Sequence, residues 1–599
     1  MVVIGNPPYN VGQVSENDNN KNRRYSVVDS RIRETYSKTS KATLNTKLYD
    51  AYVKFFRWAV DRLQGRDGIV CYVSNNSFVD QIAFDGMRKH LLQDFTQIYH
   101  LDLHGNVRKN PKLSGTTHNV FGIQVGVGIT IAIRSSQNSL HTLYYYRVPE
   151  QWTKIEKLKF LAKKSNITDV EWQELYPDKK HSWLTEGLHP EFESEAFLSI
   201  GTKEAKASQH KHTIFKTYCL GVATNRDEWA YDFSKLGLVE KMQHFIRNYN
   251  SEVFRWTQEG NIYSSVDNFV NNNPVFLKWT DRLKEALQKQ QMLKFEERKV
   301  RLSIYRPFCK KLLYFDHLLN QRRYQQHHIF PTISSEGENV VICVAGVGDR
   351  KGFGCLATNI IPTLDLAFEK AQSFPYYTYA EDGSSRRENI TDWALAQFQA
   401  KYGQEVSKWD IFHYVYALLH HPEYRERYAE NLKRDLPRIP LLAGKSEFEL
   451  CGRIGKRLME LHVGYEEAME YPLQWIEKKE VPINWRVEKM RLMPSKDALV
   501  VNEWLTLAGI PQECFVYRLG NRSALEWVID QYQVSTGARS GVTSDPNRDD
   551  EPEYIVRLVG RVITVSVETV RLVNELAQAV TMEDWISMLE KKTETESHA

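Results

Sequence analysis

Met1-Val2-Val3-Ile4-Gly5-Asn6-Pro7-Pro8-Tyr9 opens the 599-residue chain, and its reading decides the fold. The β-branched run is stiff at χ1 and suits a strand, while Gly5 and the two prolines end regular structure at once. A strand therefore runs straight into a tight turn. A buried parallel strand needs partners for its backbone donors and acceptors, and a domain rarely starts inside one. A further part ahead of Met1 is expected on that ground.

Working outward, Leu44, Leu48, Tyr52, Phe55, Phe56, Ala59 and Leu63 recur at helical spacing, with Gly65 and Gly68 just past the end. Residues 69–73 are a short apolar run, 84–95 are helix-like and 98–103 strand-like. Ile123, Val125, Val127, Ile129, Ile131 and Ile133 then alternate with small or polar residues, the period-two pattern of a strand. The fold class is α/β: the C-terminal half of a Rossmann-like sheet, then a mixed α/β region and a helix-rich part near residues 385–475.

Asn6-Pro7-Pro8-Tyr9 has the parts needed to methylate an exocyclic amine. Such a nitrogen is a poor nucleophile because its lone pair is delocalised into the ring. The Asn6 side-chain oxygen and the Pro7 carbonyl can each accept one amino hydrogen, pulling the nitrogen towards sp³ geometry. The prolines fix φ and preset the carbonyl. Tyr9 gives the base a face to stack on once it has left the duplex. Adenine N6 is preferred over cytosine N4, which uses a similar loop, because Asn rather than Ser leads the motif.

Composition sets outer limits. Lys+Arg 79 against Asp+Glu 75 leaves a net charge of +4, so no global positive field marks a nucleic-acid binder, and contacts must come from local patches. Candidates include Lys21, Arg23, Arg24, Arg31 and Arg33, the stretch Lys211 to Lys216, and Arg322 and Arg323 before His327 and His328. The 7 cysteines are dispersed without CxxC spacing, so no metal site is expected and a reducing, cytoplasmic setting is. No apolar run has the length of a membrane span, so no membrane partner is expected.

The order of strand, Asn-Pro-Pro-Tyr turn, helix and strand resembles the second half of the γ-class adenine-specific DNA methyltransferases. In that resemblance Gly68 to Phe78 matches a strand and loop, with Asn75 and Asn76 before Ser77 and Phe78. Asp102 to Asn106, His118 to Gln124 and Gly221 to Asp227 extend the likeness to the single-polypeptide Type ISP restriction-modification enzymes. So do Tyr305 to Phe308, Thr391 to Trp393, Asp410 to Tyr416, Leu519 to Leu525 and Asp545 to Asn547. That family combines a nuclease, an ATP-driven translocase, a methyltransferase and a target-recognition domain. The resemblance implies catalytic roles for Asn6, Pro7, Pro8 and Tyr9, with Phe121 packing on the other face of a flipped base. It also implies S-adenosyl-L-methionine as cofactor, double-stranded DNA as partner, and the N-terminal nuclease, translocase and methyltransferase part as a further one.

The family's glycine-rich donor-binding turn and its acidic residue precede the Asn-Pro-Pro-Tyr loop, so the cofactor-binding residues are expected upstream of Met1. No Walker-type phosphate loop occurs, since Gly444-Lys445-Ser446 lacks the upstream glycine. A permuted order could supply a donor pocket from Val340 to Gly348, a strand leading into GxG, with Asp365 beyond it. The permuted reading is the weaker one.

Four segments are expected: 1–150, the C-terminal half of a methyltransferase domain; 151–215, a helical connector; 216–480, a target-recognition region; and 481–599, an α/β extension with a last strand ahead of a closing helix near 567–579. Asn225, Arg226, Arg322, Arg323, Arg350 and Lys351 are the candidate DNA contacts. The function expected is site-specific adenine-N6 methylation of DNA. The alternative is a non-catalytic recognition fragment that lacks the donor-binding half.

Overall fold

Val2–Gly5 forms strand β1, which pairs in parallel with β2 (Gly68–Asn75), Val3 opposite Val70 and Gly5 opposite Tyr72. The computed structural model describes residues 1–9, 25–40, 46–106, 117–209, 212–349, 351–478 and 482–581. These fall into two units, Met1–Leu188 and His189–Ala599.

The first unit is built on one sheet. Strands β3 (Gln97–Asp102), β4 (Val127–Arg134), β5 (Thr142–Arg147) and β6 (Gln173–Glu174) complete it in the order β1-β2-β4-β3-β5-β6. β4 runs antiparallel to both β2 and β3, and β5 is parallel to β3. β1 pairs along one edge only among the described residues, and Val2 and Ile4 are 62% and 77% exposed.

Period and packing part company in β4. The isoleucines are only half-buried, whereas Gly128, Thr130 and Ala132 are buried. The reason is close approach: a Cβ on Gly128 would lie 2.6 Å from the His100 ring, and one on Gly126, just before the strand, 2.4 Å from Asn76 Oδ1. Ile123 and Val125, expected in this strand, precede it.

The helix Ala51–Leu63 starts later than its apolar spacing suggested, since Leu48 sits in a short 3-10 turn. It ends where Gln64 and Gly65 turn left-handed, at φ 50° and 77°. Tyr52, Phe56, Ala59 and Leu63 pack into the core, while Phe55 and Trp58 face outward. The unit also runs past residue 150. β6 pairs with β5, and Trp183 is buried against Phe78, so much of the expected connector belongs to this core.

Among the described residues the second unit contains three four-stranded sheets. One holds Val300–Arg306 and Cys309–Tyr314, one centres on Val341–Val344, and one holds Gln474–Glu477 and Leu505–Ala508. A helical layer includes Asp392–Tyr402, Lys408–Leu418 and Lys445–Val463; Phe398 in the first, Phe412 and Tyr416 in the second and Leu419 just after it are fully buried. No core boundary falls at 480: Cys219, Leu313 and Phe368 share a cluster with Val487, Leu499 and Val559.

Two expectations are corrected here. The strand placed before the closing helix does not exist; Tyr554–Ala579 is one helix of 26 residues. Its many β-branched residues suggested a strand, but Ile555, Leu558, Val559, Val562 and Ile563 recur on one face, and burial of that face outweighs a small propensity cost. The permuted donor pocket also fails. Val341–Val344 is antiparallel to both neighbours, and the next described element after Gly348 is the strand Cys355–Thr358, so no helix N-terminus faces the glycines.

Candidate active site

The carboxyl ends of β1, β2 and β3 lie together, the place where an open α/β sheet binds ligands. β1 delivers Asn6 to Tyr9, β2 delivers Asn75 and Asn76, and β3 delivers Asp102 followed by His104 and Gly105 at φ 52° and 82°. Asn6 and Pro8 are exposed, Pro7 is buried and Tyr9 is half-buried.

The Tyr9 hydroxyl donates to Asn6 Oδ1 at 2.5 Å and lies 3.2 Å from the Val73 carbonyl. Asn75 Nδ2 donates to the Tyr9 carbonyl at 3.3 Å, and Asn75 Oδ1 accepts from the Ser77 N–H at 2.9 Å. β2 thus buttresses the turn from behind. Burial pushes the Tyr9 pKa up to about 12 against the opposing effect of the Asn6 bond, so the ring stays neutral.

Asp102 is the polar hub beneath. It accepts from Asn76 Nδ2 at 2.6 Å, from the His104 N–H at 2.7 Å and from the Tyr145 hydroxyl at 2.9 Å. Burial alone would raise its pKa; His104, His100 and the hydrogen bonds from the His104 N–H and the Tyr145 hydroxyl outweigh that and hold it below the usual carboxylate value. Sequence reasoning quoted Asp102 in a motif but gave it no task. The available signal was an acid ending an apolar strand before a His-Gly turn.

Phe121 is 48% exposed, and its ring centroid stands 5.5 Å from that of Tyr9 at 44°. The structure therefore brings together two aromatics that are far apart in sequence. Among the described residues no group of His, Cys, Asp and Glu could hold a metal ion, and no helix is long and apolar enough to cross a membrane.

The candidate DNA contacts lie in the second unit. Asn225 is exposed with φ 55°, and Ala223 pairs its backbone with Arg322, so these two segments are neighbours. Arg322 is exposed; Arg323 is half-buried, pairs with Glu381 at 3.4 Å and lies over Phe315. Lys351 is exposed. Arg350 lies outside the described residues, as do Lys21, Arg23 and Arg24. Arg226 is a correction. It is 3% exposed, donates to Thr280 Oγ1 at 2.7 Å and lies over Phe245, and burial lowers its pKa to about 9. It packs inside the unit instead of reaching out as a surface charge.

Comparison with known proteins fits this geometry. Residues 213–558, more than half of the chain, match the family model described as the Type ISP C-terminal specificity domain. The chain belongs to the Type ISP family. Residues 1–107 match the Eco57I restriction-modification methylase model. Among solved structures, this Type ISP chain is similar to a nuclease-deletion mutant of the Type ISP restriction-modification enzyme LlaGI in complex with a DNA substrate mimic, at 34% identity and TM-score 0.83. It is also similar to DrdV in its DNA complex, at 40% and 0.83, and to the ATP-dependent Type ISP enzyme LlaBIII bound to DNA, at 31% and 0.85. Each match covers 96% of this chain, but only 52%, 56% and 37% of the LlaGI, DrdV and LlaBIII chains respectively. Comparison with curated proteins gave no match.

Proposed function

We propose that this chain carries the base-binding half of an adenine-N6 DNA methyltransferase together with the target-recognition region of a restriction-modification system. One observation carries the reading: Asn6, Pro7, Pro8 and Tyr9 stand at the carboxyl end of a sheet strand, and the Phe121 ring lies 5.5 Å from Tyr9. An extruded adenine enters between the rings. Its N6 hydrogens bond to Asn6 Oδ1 and the Pro7 carbonyl, which localises the nitrogen lone pair.

Unit 1 is the methyltransferase part in this reading, and residues 213–558 recognise the target. Solved relatives are bound to DNA, and the exposed Asn225, Arg322 and Lys351 are the contacts we assign to it. A cytoplasmic setting follows from this reading.

S-adenosyl-L-methionine would supply the methyl group. The described residues do not hold it: no glycine-rich strand turn and acidic partner stand beside Asn6. The open edge of β1, with Val2 and Ile4 exposed, is where further strands of the sheet would add.

The test incubates the protein, supplied with its donor-binding half, with labelled donor and a duplex library, and maps the methylated base. Methyl groups on adenine at one short sequence are expected. A mark on cytosine N4 rejects the adenine assignment, and site-specific binding without transfer by the protein supplied with its donor-binding half leaves a reader only.

A further inference from the structure

Two rings that hold one base between them stand about 7 Å apart, twice a van der Waals spacing of about 3.5 Å. Tyr9 and Phe121 are 5.5 Å apart and touch each other, and the Tyr9 hydroxyl occupies the Asn6 oxygen that the amine needs. The slot is closed by its own residues, so one wall must move to admit a base.

Tyr9 is fixed by the prolines and by Asn75. Phe121 sits on a loop whose backbone is pinned by a buried side chain. Asn119 is fully buried; its Nδ2 donates to the Gly105 carbonyl at 3.1 Å and to the Val125 carbonyl at 2.7 Å. Its Oδ1 accepts from the Phe121 N–H at 2.9 Å and the Ile123 N–H at 3.3 Å. The buried Lys157 donates to the neighbouring His118 carbonyl at 2.5 Å. All four polar contacts of one carboxamide go to the backbone that frames Phe121.

We propose that Asn119 is a positioning residue: it holds the Phe121 backbone in place so that the ring alone swings, between lying on Tyr9 and lying over the bound base. Asn119 touches neither base nor donor and acts through Phe121. This inference rests on the base-slot reading above for its functional half, while its structural half stands alone.

The structural half is read by hydrogen exchange on the full chain without DNA. In Asn119→Ala the Phe121 and Ile123 amides should exchange about tenfold faster, because they lose their acceptor. Unchanged exchange in Asn119→Ala overturns the proposal whatever the protein does to DNA.

The functional half uses a duplex carrying 2-aminopurine at the mapped methylation position, with its fluorescence reporting extrusion. Phe121→Ala should lower the extruded population about tenfold, the effect of losing one base–aromatic stack. Asn119→Ala should lower it too, and the double variant should match Phe121→Ala. Additive losses would show that Asn119 acts by another route. Loss of duplex binding by Phe121→Ala itself would count against the base slot.

Discussion

Replacing Asp102 with asparagine keeps the shape of the hub under the active site and removes its charge. In the native chain Oδ1 accepts from Asn76 and the His104 N–H, and Oδ2 accepts from the Tyr145 hydroxyl. The asparagine oxygen can keep the first two donors. Its amide nitrogen then meets the Tyr145 hydroxyl, which must turn and accept. Bonds to a charged acceptor contribute about 1.5–3 kcal/mol, and relief from burying the charge offsets part of that loss. We expect Asp102→Asn to destabilise unit 1 by about 1–2 kcal/mol at pH 7.

The pH dependence follows from the lowered folded pKa. The stability contributed by ionised Asp102 is complete above its ordinary value of 3.8 and is lost as pH falls through the lower folded value. His100, pushed down to about 4 by burial, stays neutral through pH 5. The difference between native chain and variant should therefore narrow as the pH falls below 4. Urea unfolding read by hydrogen exchange on peptides from residues 1–188 isolates unit 1. No difference at pH 7, or one that still widens below pH 4, would refute the reasoning.

Asn6→Ala should cut methyl transfer by about 10²–10³-fold in enzyme supplied with its donor-binding half, with duplex affinity nearly unchanged in gel shift, since it removes an acceptor used on the amine. Gly455→Ala should lower the denaturation midpoint of unit 2. A Cβ there would lie 1.9 Å from the His413 carbonyl of the facing helix, and the strain of about 1–3 kcal/mol outweighs the helix-propensity gain. Arg226→Met should leave the salt dependence of DNA binding unchanged and keep unfolding stability within about 1 kcal/mol, because a buried guanidinium with Nε and Nη1 unbonded is replaced by an apolar chain of similar length. Arg322→Ala should weaken binding across sequences and reduce the salt slope by about 1 in titrations at several salt concentrations.

Much of unit 1 was legible because its strands and helices are local events. The β-branched run ahead of two prolines, the apolar period of Tyr52 to Leu63 and the alternation in β4 each reflect forces acting over a few residues. The misread elements depend on what packs against them. The residues of Tyr554–Ala579 favour a strand by propensity and become a helix because one face is buried. Arg226 looks like a surface charge until Phe245 and Thr280 close over it.

By itself the sequence determined which donors, acceptors and ring the Asn6 to Tyr9 turn can offer, since residue type and φ restriction are fixed along the chain. Tertiary structure alone decided which distant residues complete it. Nothing in the spacing of Tyr9, Asn75, Asp102, Asn119 and Phe121 shows that they converge at the carboxyl ends of three strands. Strand order does that, by placing antiparallel β4 between β2 and β3 and returning the Phe121 loop to Tyr9.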